Sequence, residues 1–470
     1  MKNARQPNFV FILIDDMGWK DLACTGSTFY ETPNIDRLSR EGIPFGNAYA
    51  PCPVCSPSRA SFLTGEYPAR LGLTDWIDMS GTFHPLKGRV IDAPYCKHLP
   101  QGEYTLAQAL KDAGYATWHV GKWHLGGKEY YPERFGFDVN IGGCDWGHPH
   151  QGYFAPYGIE TLPEGENGEY LTDRITDEAI ALLKRHVKDH AEVPFFLNLC
   201  HYSVHTPIQA RPEDVERFKR KARELGLDRE KALVEGEEHH TADKVGQRVM
   251  RRVIQSDPEY AAMVWNLDWN IGRLMRALQE CGQAENTVVV FTSDNGGLST
   301  SEGSPTCNLP AAEGKGWLYE GGLRVPLLMR FPAMIAGGQR CDVPVITPDF
   351  YPTFLELAGT SIPKEKVLDG QSIVPLLQGK TMPLRPLFWH YPHYGNQGGL
   401  PGAAVRLGKY KYIVFYDGGQ EALYDLEADF AEKHNLARQL PETARQMRLL
   451  LQGWQQEVAA VFPQNNPQWS

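Results

Sequence analysis

The sequence predicts an α/β fold: a large, mostly parallel central sheet flanked by helices, with a smaller C-terminal α+β domain. Three observations predict it. Short apolar, β-branched runs alternate with helical periodicity through most of the chain, as in a parallel sheet covered by helices. Acidic or glycine-rich stretches come after several of these runs, where open α/β sheets place their ligand sites. After about residue 380 the pattern shifts to short strands joined by glycine-rich turns. A chain of 470 residues, 42% hydrophobic and 22% charged, has ordinary globular usage, which excludes disordered, fibrous and small disulfide-stapled classes.

Taken in order, residues 8–14 read as a buried strand that stops at Asp15-Asp16-Met17-Gly18, far too short an apolar run to span a bilayer. Ile35 and Leu38 open a short amphipathic helix capped by Thr32 or Asn34. Thr105 caps a helix with Leu106, Ala109 and Leu110 on its buried face and Gly114 at its end. A strand over residues 115–120 then delivers Gly121-Lys122-Trp123-His124 to a loop. A helix near 172–188 precedes a strand over 194–199, after which come His201 and His205. The polar stretch 209–257 reads as a helical excursion over the fold. Val264, Leu267, Ile271, Leu274 and Leu278 define a strong amphipathic helix. A strand over 287–291 leads into Thr292-Ser293-Asp294-Asn295-Gly296-Gly297. Strands are expected over 403–407, 411–416 and 421–426, and a final helix over 441–454. The expected division is a catalytic domain over residues 1–380 and a C-terminal antiparallel-sheet and helix subdomain over 381–470.

With 47 Lys and Arg against 57 Asp and Glu, the formal charge is -10, and no dense basic block offsets it. Neither a nucleic acid nor a membrane surface is therefore an expected partner. The nine cysteines are scattered without a disulfide framework, and the single C-x-x-C of Cys52 and Cys55 lacks the second pair a thiolate zinc site needs. The sequence as given carries no basic-apolar cleavable leader, so a cytoplasmic location is expected, or a periplasmic or secreted one if a leader has been removed.

Asp15, Asp16, Asp294 and Asn295 all come directly after predicted core strands, so a parallel sheet can gather their oxygens despite the sequence separation. An isolated Asp-Asp or Asp-Asn pair would ordinarily cap a turn. Three carboxylates and an amide oxygen together suit one hard divalent cation, Ca2+ first and Mg2+ next. A second cluster runs from Cys55 to Gly65: Pro57 can open a helix, Gly65 can stop it, and Arg59, four residues after Cys55, faces the same side.

The run Cys55-x-Pro57-Ser58-Arg59-x-x-x-Leu63-Thr64-Gly65 resembles the signature of the type I sulfatases, whose cysteine is oxidised to Cα-formylglycine. Further stretches match in order: Asp15-Asp16, Gly121-Lys122-Trp123-His124, His201 through His205-Thr206-Pro207, Asp294-Asn295-Gly296, Gly314-Lys315-Gly316, Tyr319-Glu320-Gly321-Gly322 and Arg324-Val325-Pro326. The resemblance spans most of the chain. It implies an alkaline-phosphatase-like fold and a divalent cation held by Asp15, Asp16, Asp294 and Asn295, with an oxygen of the converted Cys55 and a sulfate oxygen completing the shell. It implies that Arg59 stabilises the modified side chain, that Lys122 and Lys315 clamp sulfate oxygens, that His124 bonds a hydroxyl of residue 55 and that His205 sits by the bridging ester oxygen.

The implied chemistry is consistent. Hydrated formylglycine carries two hydroxyls on one carbon, one to attack sulfur and one whose deprotonation then expels sulfate. The cations stabilise charge on the attacking and peripheral oxygens. A sugar alcohol leaves poorly, so it needs a proton at the bridging oxygen, assigned to His205 with Lys315 as its rival. Lys122 and Lys315 would ordinarily be solvated charges, but neighbouring glycines allow close approach of a ligand.

The expected activity is therefore hydrolysis of a sulfuric ester of a mono- or oligosaccharide, after a formylglycine-generating maturation enzyme has acted on Cys55. A candidate sugar rim comprises His201, His390, His393 and Tyr394. The last three could equally glue the C-terminal part to the main domain. The competing reading is a formylglycine-dependent phosphate diester or phosphonate monoester hydrolase, since these substrates present similar tetrahedral anions. A two-zinc phosphatase would need further Asp and His ligands and a hydroxyl nucleophile.

Overall fold

The computed structural model describes residues 6–469; the expectation of a missing leader falls on residues 1–5, outside the described residues. Seven strands form the main sheet, in the order Ile43–Pro44, Leu327–Arg330, Thr287–Ser293, Asn8–Ile14, Phe195–Cys200, Ala116–Gly121, Val139–Ile141. The last five of these pair in parallel and the first two antiparallel, so the sheet is mixed but mostly parallel. Phe9 to Leu13 and Val288 to Phe291 are buried because helices cover both faces, which is why these strands read as continuous apolar runs.

Register explains the position of the site. Ile14 pairs with Ser293, so the next residues, Asp15 and Asp294, emerge side by side. Leu13 pairs with Cys200, and Cys200 with Gly121, so His201 and Lys122 leave the same edge. Adjacent strand ends thus deliver acids and bases to one place, as open α/β sheets do.

The covering helices obey the predicted periodicity. Leu171–His190 and Pro258–Glu280 pack together, and Asp257 caps the second by accepting from the Glu259 and Tyr260 amides. Thr105 accepts from the Gln108 amide at 3.1 Å and caps Leu106–Asp112. The helix Pro33–Glu41 differs from expectation: neither Thr32 nor Asn34 caps it with its side chain. Asp268, from the neighbouring long helix, accepts instead from the Asn34 and Ile35 amides. A tertiary carboxylate replaces the local cap.

The 209–257 stretch is helical chiefly over Pro212–Glu224. Leu233–Glu238 and Arg248–Arg252 form an antiparallel hairpin, anchored by fully buried Val249. Its charged outer residues mask the two-residue alternation. The C-terminal sheet has four antiparallel strands, Leu387–Tyr391, Gly402–Leu407, Tyr410–Phe415 and Glu421–Asp425, covered by the helix Pro441–Glu457. The first of these strands adds to the three that the sequence predicts. This sheet packs in a second core with Tyr49, Val54, Leu318 and Leu323 from earlier in the chain. No helix among the described residues is long and apolar enough to cross a membrane.

Candidate active site

The helix Cys55–Thr64 is buried throughout and ends on Gly65 in the left-handed region at φ 73°. It carries Cys55 and Arg59 to the strand ends. Cys55 Sγ lies 3.3 Å from His124 Nδ1. Burial raises the Cys55 thiol above its ordinary range, while Lys122 and Lys315 oppose that rise. His124 Nε2 is 2.9 Å from the carbonyl of Ile77. A carbonyl only accepts, so Nε2 holds the proton and Nδ1 presents its lone pair to residue 55. Burial, helped by Lys122, keeps His124 well below its ordinary range and therefore neutral.

Asp15 Oδ2 accepts from Lys122 Nζ at 2.6 Å, and Asp16 Oδ2 from Lys315 Nζ at 2.8 Å. Arg59 Nε and Nη2 both donate to Asp294 Oδ2, at 2.9 and 2.7 Å, and Nη1 donates to the Lys122 carbonyl. Arg59 is thus spent on Asp294, with Asp15 3.7 Å away, and its contacts are with carboxylates and backbone. These bonds orient the acidic cluster, and Cys55 is among the groups whose charge Arg59 feels. Asn295 Nδ2 donates to Asp16 Oδ1 at 2.8 Å, which leaves Asn295 Oδ1 free to accept.

Asp15 Oδ1 and Asn295 Oδ1 are buried acceptors without a hydrogen-bond partner, and one ligand atom each of Asp15, Asp16 and His205 lie within 4.8 Å of one another. Unsatisfied buried oxygens are costly unless something positive meets them. Burial pushes the Asp15 carboxyl well above the usual range, against Lys122, while Asp294 adds to the rise. Burial also opposes ionisation of Asp16, but Lys315 and His205 overcome it and hold this carboxyl below the usual range. The donor set fits a divalent cation.

His205 Nδ1 faces the Thr206 carbonyl at 2.9 Å, leaving Nε2 to accept from Lys315 Nζ, also at 2.9 Å. Burial and then Lys315 keep His205 well below its ordinary range, whereas Asp16 and Cys55 hold Lys315 above its own despite burial. Lys315 Nζ is thus the donor of this hydrogen bond and His205 Nε2 its acceptor.

Two site residues adopt the left-handed backbone region without being glycine: Asp16 at φ 61° and His124 at φ 57°. Such conformations are held only where the surroundings impose them. The glycines beside the lysines are required by backbone packing. A Cβ on Gly121, at φ 100°, would lie 1.9 Å from the Cys200 carbonyl oxygen, and one on Gly314 2.3 Å from that of Gly297.

The sugar rim needs correction. His390, His393 and Tyr394 are 3%, 0% and 1% exposed, and His201 is 0% exposed. His390 Nε2 bonds the Val461 carbonyl, His393 Nε2 bonds Thr74 Oγ1, and the Tyr394 hydroxyl donates to Asp417. They hold the C-terminal sheet in place, because the aromatic-rich run around them is an internal strand end. The solvent-facing candidates lie elsewhere. His148 is exposed and stacks on His205, rings 6.0 Å apart, with His150 4.6 Å beyond and Trp146 stacked on His150 at 4.2 Å. Sequence reasoning missed them, although Trp146-Gly147-His148-Pro149-His150 comes soon after the strand Val139–Ile141. It also missed Ile77, whose carbonyl has no side-chain signature.

A buried oxygen cluster clasped by two lysines and an arginine, at the carboxyl ends of a mostly parallel sheet, defines a hydrolase of tetrahedral oxyanion esters. The family model Sulfatase matches residues 7–360, and N-sulphoglucosamine sulphohydrolase, C-terminal, matches residues 313–457. A Sulfatase of Formosa agariphila is 30% identical, covering 96% of this chain and 89% of its own. Human N-acetylgalactosamine-6-sulfatase is 31% identical over 82% of this chain and 68% of its own. Among solved structures, Ps i-CgsB superposes with a TM-score of 0.76 at 28% identity, over 99% of this chain and 95% of that one; it has also been solved in complex with k-i-k-neocarrahexaose. The chain belongs to the type I sulfatase family of the alkaline-phosphatase-like superfamily, and is a sulfuric ester hydrolase.

Proposed function

We propose that this sulfatase releases sulfate from a sulfated mono- or oligosaccharide after Cys55 has been converted to formylglycine by a maturation enzyme, with one calcium ion held by Asp15, Asp16, Asp294 and Asn295. The observation that carries the reading is Cys55 within 3.3 Å of a neutral His124 whose free Nδ1 faces it, in the same buried pocket as the acidic cluster. The sugar half is supported by the N-acetylgalactosamine-6-sulfatase relative and by the carbohydrate complex of Ps i-CgsB. Trp146, His148 and His150 supply an apolar face and hydrogen-bonding rings beside His205.

Hydrated formylglycine would supply the geminal hydroxyls from which attack on sulfur and release of sulfate proceed, and the cation would supply charge stabilisation for them. The remaining roles fall to side chains. His124 Nδ1 takes a proton from a residue 55 hydroxyl, while Ile77 keeps its ring in the required tautomer. Lys122 and Lys315 meet the peripheral sulfuryl oxygens once a substrate competes with Asp15 and Asp16 for them. Lys315 holds the proton nearest the leaving oxygen, and His205 Nε2 orients that ammonium.

Peptide mass analysis of residue 55, coupled to kcat/KM on matched sulfate and phosphate esters of a hexose, tests the proposal. The expected result is an aldehyde or its hydrate at residue 55 and a preference for sulfate. Preference for phosphate, or full turnover by protein retaining the thiol, overturns it.

A further inference from the structure

We propose that Asp75, His84, Asp92 and His393 form a second, structural metal site that takes one zinc ion in tetrahedral two-nitrogen, two-oxygen coordination. The four side chains are 0 to 3% exposed, and they lie apart from the acidic cluster described above. His84 Nδ1 is 3.6 Å from Asp75 Oδ2 and 3.6 Å from Asp92 Oδ2; His393 Nδ1 is 3.8 Å from Asp75 Oδ2. One ligand atom each of Asp75, Asp92 and His393 fall within 4.8 Å of one another.

These separations are too long for N–H···O hydrogen bonds, which close near 2.9 Å. They are close to what an ion imposes: bonds of about 2.0–2.1 Å in a tetrahedron put neighbouring ligands about 3.3–3.4 Å apart. Asp75 Oδ2, His84 Nδ1 and His393 Nδ1 are buried without a hydrogen-bond partner, and an ion at the centre would meet all three.

The far side of three ligands is anchored. Asp75 Oδ1 accepts from the Trp76 amide and the Tyr391 hydroxyl, at 2.8 and 3.1 Å. Asp92 Oδ1 accepts from the Tyr394 amide at 2.9 Å, Asp92 Oδ2 from the Leu86 amide at 2.8 Å, and His393 Nε2 is held by Thr74 Oγ1 at 2.8 Å. Outer partners that fix ligand orientation in this way are the mark of a metal centre. Trp76 and Tyr95 wall the site, edge-on to His84 at 4.9 and 5.8 Å.

Charge points the same way. Among the described residues no lysine or arginine pairs with Asp75 or Asp92, and two carboxylates with two neutral imidazoles balance one divalent ion. Mixed imidazole and carboxylate donors in a four-coordinate cage suit zinc rather than calcium, which prefers six or more oxygens. The ion would clamp the 74–92 segment to the end of the strand Leu387–Tyr391. It would thereby steady Ile77, two residues from Asp75, which orients His124. The competing occupant is a proton making His84 an imidazolium.

The test is metal analysis of the full-length protein after equilibration with zinc and gel filtration. One zinc per chain is expected in the wild type and in Asp15→Asn, with affinity lowered by on the order of 100-fold or more in His84→Gln and His393→Gln. Cobalt should replace zinc in the wild type with the intense visible bands of a tetrahedral ion, and His84→Gln should lack them. If the histidine variants fail to fold, the wild-type cobalt spectrum and the Asp15→Asn stoichiometry decide. Substoichiometric zinc in the wild type, equal zinc affinity in wild type and His84→Gln, loss of zinc in Asp15→Asn, or only weak octahedral cobalt bands overturns the site.

Discussion

At the residue scale, Arg59 and Asp294 form a buried pair whose geometry a shorter or neutral partner cannot reproduce, since two guanidinium nitrogens meet one oxygen. Asp294→Asn leaves the Arg59 charge without its main partner and weakens the cation site. We expect kcat to fall by on the order of 100-fold or more and stability to drop by about 3–5 kcal/mol, read by sulfate release and thermal unfolding. Near-normal values of both would contradict the assigned roles. His201 gives a pH prediction. Burial holds it down to about 3, against an ordinary 6.5. Below the ordinary value the unfolded chain binds a proton the folded one refuses, so stability is lost as pH falls from 6.5 towards about 3, by up to about 1.4 kcal/mol per pH unit. His201→Gln removes that contribution. The stability difference between wild type and variant, from chemical denaturation at about pH 7 and about pH 5, should therefore change in the variant's favour at the lower pH. A difference that does not move with pH would show that His201 is not held neutral.

At the element scale, strand ends were the most legible feature, because a run such as Phe9 to Ile14 can only be a buried strand and the residues just past its end must face the sheet's ligand edge. That logic located Asp15, Asp16, Lys122, Asp294 and Asn295 without any contact being visible. It could not locate the Ile77 carbonyl, which acts through the backbone, or tell that the 387–394 run is internal, since aromatic and histidine residues suit both a rim and a core. The glycines were legible as special positions, but their packing role was not. Gly121 is needed where two parallel strands end, with the Cys200 carbonyl 1.9 Å from a would-be Cβ and φ at 100°. Gly121→Ala should be destabilising by more than about 1 kcal/mol and should displace Lys122, lowering kcat even where the protein remains folded. Unchanged thermal stability would mean that the strand end yields easily. The Trp146 to His150 loop makes the opposite prediction: His148→Ala, on an exposed residue, should raise KM for a sulfated sugar while leaving stability within about 0.5 kcal/mol.

At the scale of the whole molecule, the C-terminal sheet completes the catalytic part through a buried ionic knot. Lys411 Nζ, fully buried, lies 3.1 Å from Glu320 Oε1 and 2.9 Å from Glu432 Oε1, and Arg324 pairs with the other oxygen of Glu320 at 2.7 Å. Burial pushes Glu432 up to about 7 even with Lys411 beside it. Glu320 begins the short Glu320–Leu323 helix next to the loop bearing Lys315, so the knot ties the last third of the chain to the site. Lys411→Met should cost about 3–5 kcal/mol, because it removes the cation shared by two buried acids. The same packing bears on the expected boundary at residue 380. A chain ending there would keep Glu320 but lose Lys411, and would bare Tyr49, Val54, Leu318 and Leu323, which pack in the second core. An apolar face of that kind, rimmed by unpaired charge, does not stay in water as a stable monomer. We expect residues 1–380 alone to aggregate or to lack a cooperative thermal transition, and co-expression with residues 381–470 to restore both solubility and sulfate release. A soluble, cooperatively melting 1–380 fragment would show that the main sheet folds without its C-terminal partner, and that the ionic knot forms only after folding is complete.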